Sequence, residues 1–121
     1  MAATRVVNLR HNQPYDVYVG RAGHGLDGYY GNPYPVGHVC PRCGELHETA
    51  ATTLPCFEKY FLERLSTDAE FRVRVRGLTG KILGCFCLPS ACHGTVIADW
   101  LNQPAETIDI ALNTLITERS R

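Results

Sequence analysis

The 121-residue sequence has no charge imbalance and no long hydrophobic run. Twelve Lys and Arg offset twelve Asp and Glu. A whole-molecule field that would draw the protein onto DNA or an anionic membrane is therefore excluded, and only a local basic patch is left to contact nucleic acid. No window approaches the roughly 18 apolar residues of a membrane span, and MAATRVVNLRHNQ lacks the apolar stretch of a signal peptide. The expected location is the cytoplasm, with no membrane partner. Familiar catalytic signatures are missing too. There is no Gly-x-Ser-x-Gly elbow, and GLTGKI has too short a glycine spacing for a phosphate loop, with Ile82 where magnesium would need Ser or Thr. His47-Glu48 has Ala51 where a zinc-protease helix needs its second His, and Val39 and Thr49 stand where a zinc deaminase needs Pro and Glu. Without paired carboxylates or a triad, no reaction type follows.

What remains has the composition of an ordinary soluble domain, 45% hydrophobic and 20% charged. The length suits one core, so residues 1–121 are read as a single domain, with a knuckle inserted at 38–56 and a helical extension at 104–121. Short extended runs at 6–9 and 17–19, separated by HNQP, predict a β-hairpin. From 20 to 37 the chain is a glycine- and tyrosine-rich loop, long enough to suggest function. Phe57, Tyr60, Phe61 and Leu65 recur on one helical face. Thr67 and Glu70 form a capping-box pattern for a second helix that buries Phe71, Val75 and Leu78, although RVRVR also alternates like a strand. KILGCFC has the length of a buried strand. Val96, Ile97, Trp100 and Leu101 define a third helix, and Ile108, Ala111, Leu112 and Leu115 a fourth. The expected fold is a small α/β (α+β) domain: a short sheet with an N-terminal hairpin and a central KILGCFC strand, three to four helices, and a zinc knuckle.

Six cysteines dominate the chemistry. In a reducing compartment, closely spaced thiols are more often metal ligands or catalytic groups than disulfides. GCFCLPSACHG holds Cys85, Cys87, Cys92 and His93. On a strand, Cys85 and Cys87 project together while Phe86 turns into the core, and the LPSA turn brings Cys92 and His93 to the start of a helix, where the N-terminal field favours thiolate. Three readings stand: small residues packed in a tight turn, a zinc or iron-sulfur centre, or a reactive Cys87 or Cys92 with His93 as its base. In HVCPRCGELH, a Cys-x-x-Cys followed by Gly has the form of a zinc knuckle, with Cys40 and Cys43 as ligands and His38, His47 or Cys56 to complete the set. Alternatively Cys85 and Cys87 join Cys40 and Cys43 in a split site. Redox chemistry fits less well, because the pair does not open a helix after a strand.

The loop GRAGHGLDGYYGNPY supplies donors and acceptors from Arg21, His24, Asp27 and Asn32, with Tyr29, Tyr30 and Tyr34 as stacking faces. That inventory suits a phosphate, nucleotide or base; its plain alternative is a surface loop that uses glycine for turns and tyrosine to cover the core. Arg72, Arg74, Arg76 and Lys81 form a basic stripe that reads first as a solvated face.

With VVNLR, DVYVGR, GNPY and GKILGCFCLPSACHGTVIADWLN in order, the sequence over about 5–102 resembles the domain of unknown function 4326 family of bacteria and their phages. The resemblance carries its motif onto Asn8, Arg21, Gly31, Asn32, Pro33, Cys85, Cys87, Pro89, Cys92, His93 and Gly94, and implies that the GNP loop and the Cys-Cys-His cluster belong to one site. Thr95 stands where members usually have Asp, and the knuckle and tail look like additions. Phage carriage suggests nucleotide or nucleic-acid metabolism, or interference with a host protein, by analogy. Two functions follow as expectations. In the first, an enzyme acts on a nucleotide, nucleobase or similar small polar substrate, held by Arg21, Asn32, Asn8 and Tyr34, with Cys87, Cys92 and His93 as catalytic groups. In the second, a non-catalytic zinc-stabilised module binds a protein or nucleic acid.

Overall fold

The computed structural model describes residues 3–22, 25–86 and 93–119. Three strands make its sheet: β1 (Arg5–Asn8), β2 (Val17–Tyr18) and β3 (Ile82–Cys85), in the order β1-β3-β2 with both pairings parallel. The KILGCFC segment is central, as its apolar character predicts. Leu83, Gly84 and Cys85 are all buried, and a neighbour on each edge satisfies both rows of β3 backbone groups.

The expected N-terminal hairpin does not form, because β1 and β2 each pair with β3 and not with one another. Residues 9–16 are a crossover instead. Asn8 Oδ1 accepts from Arg10 N at 2.9 Å and starts a 3₁₀ turn, Leu9–His11, which Asn12 closes in the left-handed region at φ 53°. Parallel crossovers usually need about a dozen residues or more. This one is shorter because β3 offers no side chain where it passes: a Cβ on Gly84 would lie 2.8 Å from Leu9 Cδ2 and 2.9 Å from Tyr15 Cγ. Asp16 then bonds Ile82 through both its N–H and its carboxylate, and Val19 N donates to Gly84 O at 2.9 Å.

Four helices are described: α1 (Ala50–Thr67), α2 (Ala69–Arg76), α3 (His93–Leu101) and α4 (Ala105–Arg119). α1 begins ahead of LPCFEKYFLERL and carries Pro55 on an exposed side. The capping residue of α2 is Asp68, not Thr67. Asp68 has extended backbone angles and its Oδ1 accepts from Phe71 N at 3.0 Å, whereas Thr67 still belongs to α1 and its hydroxyl donates to Glu63 O. RVRVR is helical, with Phe71 and Val75 inward. In the core, Phe57, Phe61 and Leu65 of α1 meet Phe71, Val75, Leu83, Ile97, Trp100, Leu101, Ile108 and Leu112. Phe61 sets its ring edge-on to Trp100 at 5.7 Å and Phe71 at 5.9 Å. Cys85, rather than Phe86, faces this core; Phe86 is half-buried against Tyr18. No helix among the described residues is long and apolar enough to cross a membrane.

Candidate metal centre and the loop it anchors

Between β2 and α1 the chain has almost no regular structure; the exception in the knuckle is an antiparallel bridge, Val39 to Leu46. The turn inside that bridge needs Gly44, whose φ of +76° is strained for any side chain. It is held by Gly44 N donating to Cys40 O at 2.9 Å and Cys40 N donating to Glu45 O at 2.8 Å. The closure turns backbone N–H groups toward sulfur, and Arg42 N lies 3.3 Å from Cys40 Sγ. Cys43 and His47 then point to the same side as Cys40.

The fourth member comes from a different element. Thr53, Cys56, Phe57, Tyr60, Glu63 and Arg64 recur at intervals of three and four along α1, so they form a stripe running its length. Near the start of that stripe, Cys56 meets the knuckle. The ligand atoms of Cys40, Cys43, His47 and Cys56 all lie within 4.8 Å of one another, a span that one metal ion bridges with two bonds of about 2.0–2.6 Å. Cys40 Sγ and Cys56 Sγ are 3.8 Å apart, and Cys43 Sγ and His47 Nε2 3.6 Å. Cys40, His47 and Cys56 are buried while Cys43 is exposed. Burial alone would push the Cys40 thiol up, but the N–H groups of Cys43 and Arg42, helped by the His47 and Cys43 side chains, bring it down to about 6. Burial, then the neighbouring Cys43 and Cys40 sulfurs, pushes Cys56 up to about 11. His38 is exposed and contributes only its carbonyl, which accepts from His47 N at 3.3 Å.

The same stripe of α1 anchors the glycine-rich loop. Asn32 is buried; its Nδ2 donates to Thr53 Oγ1 at 2.8 Å and its Oδ1 accepts from Tyr34 N at 2.9 Å. Tyr34 is buried edge-on to Tyr60. Arg42 joins knuckle, loop and helix: Nε donates to Tyr34 Oη at 2.7 Å, and its guanidinium forks onto the Glu63 carboxylate, with Nη1 to Oε1 at 3.0 Å. Arg64 Nη1 donates to Tyr29 O at 2.9 Å and to Tyr60 Oη at 3.1 Å. Arg21 Nη1 donates to Asn32 O at 2.6 Å. Arg42, Tyr60, Glu63 and Arg64 were not singled out as site residues from the sequence. The signal available was the helical spacing of 53, 56, 60 and 63, which reads as a core-facing stripe until the loop is placed against it.

The second predicted cluster is described only in part. Cys87 and Cys92 lie outside the described residues. Cys85 and His93 are both buried and are near enough for a Cys85 charge to act on the His93 ring. Cys85 is not a member of the Cys₃His group. His93 Nε2 is 2.6 Å from Val19 O. Because a carbonyl only accepts, the neutral ring carries its proton on Nε2. Burial lowers the His93 pKa, with Arg21 adding to the effect; the Val19 bond and Cys85 oppose it. Asn8 sits at the end of β1 as the cap of the 3₁₀ turn.

A cleft of about 450 Å³ opens between the loop and α1, lined in part by Arg21, Asp27, Tyr29, Asn32, Tyr60 and Arg64. Compared with known proteins, the chain is 28% identical over 99 residues to an uncharacterised 12.4 kDa protein of the nrdA-td intergenic region of Enterobacteria phage T4, covering 82% of this chain and 78% of the phage protein. No solved structure matches it. The model of the family described as Domain of unknown function (DUF4326) matches residues 5–103, the sheet and the first three helices but not α4, and the chain belongs to that family.

Proposed function

We propose that this is a small cytoplasmic zinc protein whose zinc is structural and whose loop face binds a small polar, nucleotide-like ligand. The observation that carries the zinc assignment is the donor set. A tetrahedral zinc with Zn–S near 2.3 Å and Zn–N near 2.0–2.1 Å has edges of about 3.8 Å between two sulfurs and about 3.5 Å between sulfur and nitrogen. The separations of 3.8 Å for Cys40 to Cys56 and 3.6 Å for Cys43 to His47 match those edges. Three thiolates and one imidazole complete the coordination with protein atoms. Such a site supplies cross-linking and no Lewis-acid position for a substrate. Cys40, Cys43 and His47 would hold the ion from the knuckle and Cys56 from α1. It would thereby staple residues 37–47 to the helix that also carries the Asn32, Tyr34 and Arg42 contacts.

Native mass spectrometry of freshly purified protein tests the assignment. One zinc per chain, lost from Cys56→Ser, supports it; a metal-free chain, or one whose zinc survives that substitution, removes it. A colourless protein separates zinc from an iron-sulfur centre.

An enzyme reading draws support from His93, a buried imidazole with its tautomer set by Val19 and with Cys85 beside it. In that reading Cys87 and Cys92 complete a thiolate or second metal centre, Arg21, Asn32, Asn8 and Tyr34 hold the substrate, and a second zinc per chain is its signature. Selective alkylation of Cys87 or Cys92 in the folded, zinc-loaded protein would instead favour the thiolate form.

A further inference from the structure

We propose that the cleft between the 20–33 loop and α1 binds the phosphate of a small phosphomonoester, a nucleoside monophosphate or sugar phosphate, through Arg21 and Arg64. The proposal rests on the reading above that the loop face is a ligand site, and it specifies the ligand's charge.

The cleft is built before a ligand arrives. A Cβ on Gly28 would lie 2.5 Å from Ala22 N, and one on Gly31 2.5 Å from Gly20 O. The stretch carrying Arg21 is therefore pressed, backbone on backbone, against the stretch that follows it, and the glycines are what allow the approach. Both guanidiniums are positioned by oxygens of the loop and α1, and Arg64 is also paired with Asp68. Arg21 is held by Asn32 O, itself part of a buried hydrogen-bonded asparagine. Arg64 is held by Tyr29 O and Tyr60 Oη, and its Cζ stands 4.0 Å from the Phe71 ring centroid and 4.6 Å from that of Tyr29. Side chains already ordered lose little entropy when they bind. Two planar, permanently charged forks on one small cleft are the recognition chemistry of phosphate.

Arg64 Nη2 hydrogen-bonds none of the described residues, and the Tyr60 hydroxyl proton has no acceptor among them. Two carboxylates limit the negative charge the cleft tolerates. Asp27 is exposed at the lining, and Asp68 Oδ2 stands 3.4 Å from Arg64 Nε. They disfavour a polyphosphate, while Asp27 can accept hydrogen bonds from sugar hydroxyls. The volume of about 450 Å³ lies within the roughly 300–1,000 Å³ of small-molecule sites.

Calorimetric titration of the zinc-loaded full chain with adenosine 5′-monophosphate, ribose 5-phosphate, adenosine 5′-triphosphate, inorganic phosphate and adenosine is the test. The expected result is binding of at least one monophosphate, competed by inorganic phosphate, with adenosine and the triphosphate at least tenfold weaker. Tighter binding of adenosine monophosphate than of ribose 5-phosphate identifies a nucleotide, and equal or weaker binding a sugar phosphate. Arg21→Gln and Arg64→Gln should each weaken the monophosphate by about 10- to 100-fold at unchanged zinc content. Because Arg64 also props Tyr29 and Tyr60, Tyr60→Phe is the variant to use if Arg64→Gln fails to fold; it should weaken binding about threefold to tenfold. Unchanged affinity in Arg21→Gln overturns the proposal. Adenosine binding as tightly as its monophosphate overturns it while leaving a ligand-binding loop intact, and no binding of any probe at millimolar concentration removes both.

Discussion

Cys56 and His93 are both buried, yet their surroundings differ. Cys56 stands in a small cluster with Cys40 and Tyr34, set off from the main core, and within reach of three potential donors on another segment. Cys56→Ser is expected to lose the metal on gel filtration, measured by elemental analysis, and to melt about 10 °C lower as roughly 2–3 kcal/mol is lost. Phe61→Ala should cost more, about 3–5 kcal/mol, while the folded fraction keeps its metal. His93 is a buried base whose folded pKa is depressed by desolvation. The unfolded chain, with a value near 6.5, therefore binds a proton more readily, and stability is full above about pH 6.5 and lost as pH falls through the folded value. His93→Gln, which can still donate to Val19 O, should flatten that acid limb in denaturant titrations between about pH 6.5 and 5. An unchanged pH profile would refute the assignment. CPRCG and its flanking His47 could be read as ligands because glycine after Cys-x-x-Cys has a local geometric meaning. The choice of Cys56 over Cys85 as partner had no local signal.

At the scale of elements, glycines decide where segments cross. Gly84→Ala would push a Cβ into Leu9 and Tyr15, both side chains, so the expected cost is about 1–3 kcal/mol, with partial rescue by Leu9→Ala in a double-mutant cycle read by urea unfolding. Gly31→Ala meets the Gly20 carbonyl, which cannot rotate away, and should be the more damaging of the two. The alternation and turn residues of the first 19 positions predicted strands correctly but paired them wrongly. A two-residue β2 has no preference of its own for β1, and the open edge of β3 was available to it. Helix faces were more legible. Ile97, Trp100, Leu101, Ile108 and Leu112 are buried as their spacing predicts, since a period of 3.6 fixes a face whatever lies opposite. The Asp68 cap displaced Thr67 because α1 runs through Thr67, and the end of one helix is set by tertiary contacts of its last turn, here Arg64 with Asp68 and Tyr29.

Across the whole molecule, two cores of unequal size share one helix. The larger joins β3 to all four helices; the smaller, around Tyr34, Cys40 and Cys56, touches it through Tyr60. Few apolar contacts hold the smaller one, so the proposed zinc is expected to supply much of its stability. A strong chelator should therefore expose backbone amides of residues 32–47 to hydrogen exchange well before those of α1 and β3. Simultaneous exchange of all segments would show instead that the metal is part of a single cooperative unit. By itself the sequence determined the helical faces, the central strand, the knuckle with its glycine, and the absence of any excess charge, because each depends on neighbours within a few residues. Only the tertiary structure decided that β3 separates β1 from β2, that α1 supplies the fourth member of the Cys₃His group, and that Arg21 and Arg64 line one cleft. Those outcomes join positions tens of residues apart, where packing and backbone approach select the partner and local periodicity carries no information about it.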